Sequence, residues 1–199
     1  MQTIPALLAA VALSGQNAVA GPDPYTDVNA MRQAFTHVRS VVATERFNTG
    51  ETVVVKYAAP NRFHIAMRHS EIMLTGNVEY SKQSGRPWKR SSDGAAHQVL
   101  LMATWQLAGP PELDIHQLFM ITSLGSKTVA GGVVRGYQLY DTAGAYGETI
   151  WINADDLPVA ARIESSEQTI SIHYANYNES AMVAMPWSLA LGGNPSCRS

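Results

Sequence analysis

Residues Glu148–Asn178 read ETIWINADDLPVAARIESSEQTISIHYANYN. Ile150 and Ile152 alternate with other residues, as in a strand with one buried face. Asn153-Ala154-Asp155-Asp156 is a turn cluster followed by Pro158. Val159, Ala161 and Ile163 then alternate with Ala160, Arg162 and Glu164. After a second turn at Ser165-Ser166-Glu167-Gln168, Ile170, Ile172 and Tyr174 alternate with Ser171, His173 and Ala175. The pattern predicts an antiparallel meander of three strands, each with one apolar and one more polar face.

Working outward, the chain has 199 residues, a formal net charge of −2 and 15% charged residues. That length supports one sizeable core and is short for two. A near-neutral chain lacks the basic stripe of a nucleic-acid binder. Lys89-Arg90, the only adjacent basic pair, reads as a solvated strand end. Residues 1–20 hold an apolar run from Ile4 to Leu13 and an A-x-A site at Ala18-Val19-Ala20. They are expected to be a signal peptide, with an uncharged n-region, leaving residues 21–199 as a single domain. No segment reaches the roughly 20 apolar residues of a membrane-spanning helix. The single cysteine, Cys197, has no internal disulfide partner and is not placed for lipid attachment after a signal peptide. The expectation is an exported, soluble protein without a permanent membrane anchor.

Ahead of the meander, Thr26 or Asp27 is placed to cap a helix reaching about Ser40, with Met31, Phe35, Val38 and Val42 on one face. Strands follow at Val41–Phe47, Glu51–Ala58, Arg62–Arg68, Glu71–Leu74, Val78–Lys82 and Trp88–Arg90. Turns separate them at Asn48-Thr49-Gly50, Ala59-Pro60-Asn61, Thr75-Gly76-Asn77 and Gln83–Pro87. Ala95–Leu107 has neither Gly nor Pro and reads as a buried helix. Pro111–Leu124 reads as a second helix stopped by Gly125. Lys127–Ala130 and Val133–Asp141 flank Gly131-Gly132 as a further hairpin.

Several of these features coincide with one family. A hydrophobic strand, an acidic turn, Leu157-Pro158-Val159, Arg162-Ile163 and a strand closing on Tyr174-Ala175-Asn176-Tyr177-Asn178 resemble the C-terminal part of the lipoprotein-carrier superfamily. Its members include the periplasmic chaperone LolA, its receptor LolB and the LppX/LprG-type lipid-binding lipoproteins. Pro60-Asn61-Arg62-Phe63 is similar to the family's K-P-x-R-F corner, with Ala59 in place of the Lys. The resemblance covers roughly residues 27–187 and is a pattern of elements with few fixed residues. It implies an α+β fold: a strongly curved, mostly antiparallel sheet of about ten strands, an open or half barrel, wrapped on three helices.

No catalytic constellation accompanies that pattern. None of His37, His64, His69, His97, His116 and His173 forms H-E-x-x-H or H-x-H, so no metal is expected. Gly125-Ser126-Lys127-Thr128 lacks the glycines of a phosphate-binding loop, and no G-x-S-x-G is present. Asp155-Asp156 sits in a turn, where nothing separates the two carboxyl pKa values. The expectation is a non-enzymatic protein without a cofactor.

Apolar strand faces and eight methionines are what the sequence has in quantity. Periodicity alone fits a filled core as well as a cleft for a long apolar ligand. The resemblance implies the cleft, and a monomeric carrier or chaperone that binds lipid or lipoprotein acyl chains. The expected lining is Val53, Val55, Phe63, Ile65, Met67, Ile72, Leu74, Leu101, Trp105, Phe119, Ile150, Ile152, Ile163 and Ile172. Arg62 matches the family's Arg and is the candidate for a lipid head group, or else an ordinary strand-edge charge. The alternative is a protein-interaction or stress-sensing module on the same fold, with a transient protein or membrane partner.

Overall fold

The structure is a computed structural model and describes residues 23–60, 62–91, 114–141 and 147–179. Helix α1 (Pro24–Thr36) precedes six strands: β1 (Ser40–Phe47), β2 (Thr52–Ala58), β3 (Arg62–Ala66), β4 (Ser70–Thr75), β5 (Val78–Gln83) and β6 (Lys89–Ser91). A one-turn helix α2 (Ile115–Leu118) then leads into β7 (Phe119–Val129), β8 (Gly132–Asp141), β9 (Gly147–Ile152), β10 (Pro158–Glu164) and β11 (Thr169–Ala175). All eleven strands form one sheet in the order β6-β5-β4-β3-β2-β1-β11-β10-β9-β8-β7. It is two antiparallel meanders sewn together by β1 and β11, whose register runs from Val42 opposite Ala175 to Phe47 opposite Ile170.

The sheet is open and curled. One face, the concave one, carries a continuous buried cluster that reaches from Ile72 on β4 through Ala43, Ile172, Ala161 and Ile150 to Ile121 on β7. Val28 and Met31 of α1 and Ile115 of α2 belong to the same cluster. The convex face holds a smaller cluster, Ala58 and Met73 with Tyr80 and Trp88 packed on it.

Helix α1 starts one turn earlier than the sequence suggests. Asp23, not Thr26 or Asp27, is the N-cap, accepting from the Tyr25 amide and the Thr26 hydroxyl. Pro24 fits the first helical position because its missing N–H has no intrahelical partner there. The helix ends at Thr36, so that Ser40 already opens β1. Asp27 is thereby freed from capping and becomes a buried ligand of the sheet.

The second expected helix, Pro111–Leu124, is the main correction. Only Ile115–Leu118 is helical, and Phe119 begins the longest strand of the sheet. Ile121 and Thr122 are β-branched, which suits a pleated surface. Gly125, expected to stop a helix, instead has φ +78° where the β7–β8 register slips, so it makes a bulge. The sheet has eleven strands rather than about ten. The expected helix Ala95–Leu107, and with it the three-helix count, lies outside the described residues, as do the expected signal peptide and Cys197.

Two local devices hold the β7–β9 side. The Trp151 ring lies flat over Gly136, where an added Cβ would come within 2.5 Å of it. The Lys127 ammonium sits 3.4 Å from the centre of the same ring. At the sheet edge, the outward backbone groups of β7 meet α1. The Tyr25 hydroxyl donates to the Phe119 carbonyl at 3.2 Å and accepts from the Ile121 amide at 3.3 Å. Its ring stacks on His116 with centroids 4.0 Å apart. Tyr25→Phe keeps the stacking but removes both hydrogen bonds. It is expected to lower stability by about 1–2 kcal/mol in urea denaturation and to speed exchange of the Ile121 amide. An unchanged midpoint and an unchanged Ile121 amide would show that Tyr25 does not secure this edge.

Candidate ligand-binding site

Because side chains alternate, the registers assign each strand residue to a face. One row across the concave face runs Val41, Tyr57, Phe63, Leu74, Glu79, Ser91. The next runs Ala43, Val55, Ile65, Ile72, Ser81, Lys89. On the other side of the seam, Glu45, Ile172, Ala161, Ile150 and Tyr137 form a row beside Phe47, Ile170, Ile163, Glu148, Leu139 and Ile121.

The expected lining residues are largely collected on this surface. Val53, Val55, Ile65, Ile72, Ile150, Ile152, Ile163 and Ile172 are buried members of one cluster, and Phe63, Met67, Leu74 and Phe119 are partly buried against it. Leu101 and Trp105 lie outside the described residues. Arg62 is placed differently. It pairs with Ala58 and Thr75 on the convex phase, is exposed, and its guanidinium reaches back to the Ala59 carbonyl at 3.3 Å. The structure does not bring it to the apolar cluster.

Two grooves open at the β3–β6 side. One, of about 400 Å³, is bordered by Met67, Ser70, Ile72, Ser81, Lys82, Gln83, Arg86, Pro87 and Lys89. The other, of about 810 Å³, is bordered by the β2 entry at Thr49–Thr52 and by Met67–Ser70. They share Met67 and Ser70, so both meet the margin of the apolar cluster. Volumes of this size suit small or extended ligands.

Polar groups also lie in the concave interior, which the apolar spacing did not single out. Glu45 is 1% exposed, and neither of its carboxyl oxygens has a hydrogen-bond partner. Burial pushes its pKa up from 4.5 to about 7. Glu148 and Glu79 are buried on the same face, each engaged within the fold. The available signal was phase: Glu45 follows Val41 and Ala43, and Glu148 precedes Ile150 and Ile152, at intervals of two.

A second polar group fastens α1 to the sheet. The carboxylate of Asp27, 6% exposed, accepts from Arg135 at 2.9 Å and from the Tyr137 hydroxyl, and Arg135 also donates to Asp156. Burial and the Asp27 hydrogen bond push the Tyr137 pKa up. Asp156 is therefore not simply a solvated turn residue, whereas Asp155 is exposed as expected. On the convex face, His64 and Lys82 both contact the Glu71 carboxylate at 2.8 Å. The Lys82 hydrogen bond in particular holds the Glu71 pKa below its usual value. Among the described residues no three His, Cys, Asp or Glu side chains converge as a metal site would require.

No family model and no curated protein matches the sequence. Solved structures do match. The Mycobacterium tuberculosis lipoprotein LppX superposes with a TM-score of 0.62 at 14% identity, over 83% of this chain and 100% of that one. LprF from Mycobacterium bovis gives 0.54 at 14% identity, over 83% and 96%. The chain thus shares the fold of LppX and LprF.

Glu45 generates a prediction. Its folded pKa lies above the unfolded value, so its contribution is fully present below about pH 4.5 and is lost as pH rises through about 7. The loss is of order 3 kcal/mol. Glu45→Gln, unable to ionise, is expected to match the native chain at pH 4.5 and to exceed its stability at pH 8 by about 1–3 kcal/mol in urea titrations. Equal pH profiles for the two proteins would mean that Glu45 does not carry this load.

Proposed function

We propose that the protein is a periplasmic, non-enzymatic carrier that holds a lipid, or the acyl chains of a lipoprotein, against the concave face of its sheet. The observation that supports this reading best is the apolar cluster that spans β2–β4, crosses the seam and reaches β9, with two grooves at its margin that share Met67 and Ser70. Acyl chains cannot cross water unaided, and each methylene taken from it is worth about 0.8 kcal/mol. A surface many strands wide can therefore hold a chain without any specific polar contact. The fold shared with the lipoprotein LppX and with LprF adds weight. In this reading a monomer acts, meeting membranes or partner proteins only in passing.

A protein-interaction module is the second reading, and one observation favours it. Met120, Leu124, Val133 and Tyr140 on β7 and β8 are exposed, beside an outer strand that pairs with no further strand among the described residues.

The test is to export the chain to a periplasm, purify it without detergent, and weigh it under native conditions. A bound mass that solvent extraction identifies as a lipid or acylated species is the expected result. A fluorescent fatty-acid titration should then saturate. Met67→Trp, which fills the junction of the grooves at a half-buried position, should weaken that binding by about tenfold with an unchanged circular dichroism spectrum. If neither co-purified lipid nor titratable binding is found, the carrier reading falls and the β7–β8 surface becomes the place to seek a protein partner.

A further inference from the structure

The carrier reading leaves open which way a ligand lies and what kind of head it carries. One row of the sheet speaks to both. From the seam outward it passes through Ala43, Val55, Ile65, Ile72, Ser81 and Lys89. The first four are 5% exposed or less. Ser81 is half-buried and Lys89 is exposed. Polarity therefore rises along a single line, from hydrocarbon to hydroxyl to ammonium, with one strand spacing of about 4.8 Å per step. An amphiphile has the same gradient.

The groove at the outer end of this row is lined by the apolar Met67 and Ile72 together with Ser70, Ser81 and Gln83. Arg86 and Lys89, both exposed, belong to the same lining, which includes no acidic residue. Neither cation has a salt-bridge partner among the described residues. Lys82, which also borders the groove, is held by Glu71 and leans on the Trp88 ring at 5.0 Å. Glu79 lies one row along the same face, but it is buried and already engaged within the fold. Two unspent positive charges in a lining that also holds Met67 and Ile72 favour a negative head joined to a chain, since a charged hydrogen bond and hydrocarbon burial then form together.

We propose that this groove takes the anionic head group of an amphiphile, with Arg86 and Lys89 on the head and the chain running inward over Ile72 and Met67. The proposal rests on the carrier reading and adds to it a ligand class, anionic rather than neutral or zwitterionic, and a direction. Arg62, on the opposite face, has no part in it.

The experiment titrates the full chain with phosphatidylglycerol and with phosphatidylcholine, each carrying the same fluorescent acyl chain. The native protein should bind the phosphatidylglycerol probe about tenfold more tightly, with the gap narrowing in high salt because the cations are exposed. The double variant Arg86→Gln/Lys89→Gln should lose that preference and keep its affinity for phosphatidylcholine. Both positions are exposed, so a matching thermal melt is expected to confirm that the variant folds. Equal binding of the two probes by the native chain, or a preference that survives the double variant, overturns the head-group assignment and leaves the carrier reading standing. Binding of neither probe overturns both. Unlabelled oleate should displace the phosphatidylglycerol probe, because it supplies an anionic head and a chain. Displacement by inorganic phosphate alone at comparable concentration would instead mark a free-anion site and overturn the proposal.

Discussion

The pairing of β1 with β11 is the contact on which the rest depends. Each meander can form from neighbouring strands, but the single apolar cluster draws residues from both. The seam joins them through residues more than a hundred positions apart, and every row of the concave surface passes across it or ends on it. It is reinforced where the chain leaves β11. The Asn178 side chain accepts from the Arg39 amide at 2.7 Å, and the Asn178 amide donates to the Ser40 carbonyl at 2.8 Å. Asn178 has φ +56°, a conformation that asparagine tolerates better than most residues and that turns the chain back onto β1.

Much of this was legible because strand periodicity survives curling. In the C-terminal meander the expected turns are the observed ones. The Asn153 side chain accepts from the Asp155 and Leu157 amides, and the Ser165 hydroxyl from the Gln168 amide, as turn-forming residues do. Phase also placed the apolar residues from Val53 to Ile172 on one face, because alternation tells which residues share a face. The failures have the same root. In β7 a bulge at Gly125 and a run of exposed positions break the alternation, so that Pro111–Leu124 looked like a helix covered on several sides. Arg62 was assigned by a motif rather than by phase, and its phase put it outside.

Phase puts Glu45 and Glu148 on the apolar face, but whether they stay dry there was not legible, and the reason is physical. Whether Glu45 is wet or dry depends on its cross-strand neighbours, Val53 and Ile172, and on what covers that face, none of which its own strand reveals. Asp27 is similar. Its position near the start of a helix suggested a cap, and only the arrival of Arg135 and Tyr137 from β8 turned it into a buried ion-pair partner. Such a pair adds little net stability over apolar packing, but losing one partner strands a buried charge. It fixes where α1 lies more than how strongly it is held.

The outer edge of β7 carries one more consequence. Tyr25 satisfies the backbone at Phe119 and Ile121, but the strand continues to Val129 with nothing paired along it among the described residues. Such an edge is a template for strand addition by another copy. The bulge at Gly125 and the charge of Lys127 interrupt it, and both discourage flat stacking. The first turn of α1 thus serves as a guard on self-association. A protease that nicked the chain between Tyr25 and Asp27 would do more than loosen a helix, because it would also release the backbone at Phe119 and Ile121 and lengthen the unpaired edge to the whole of β7.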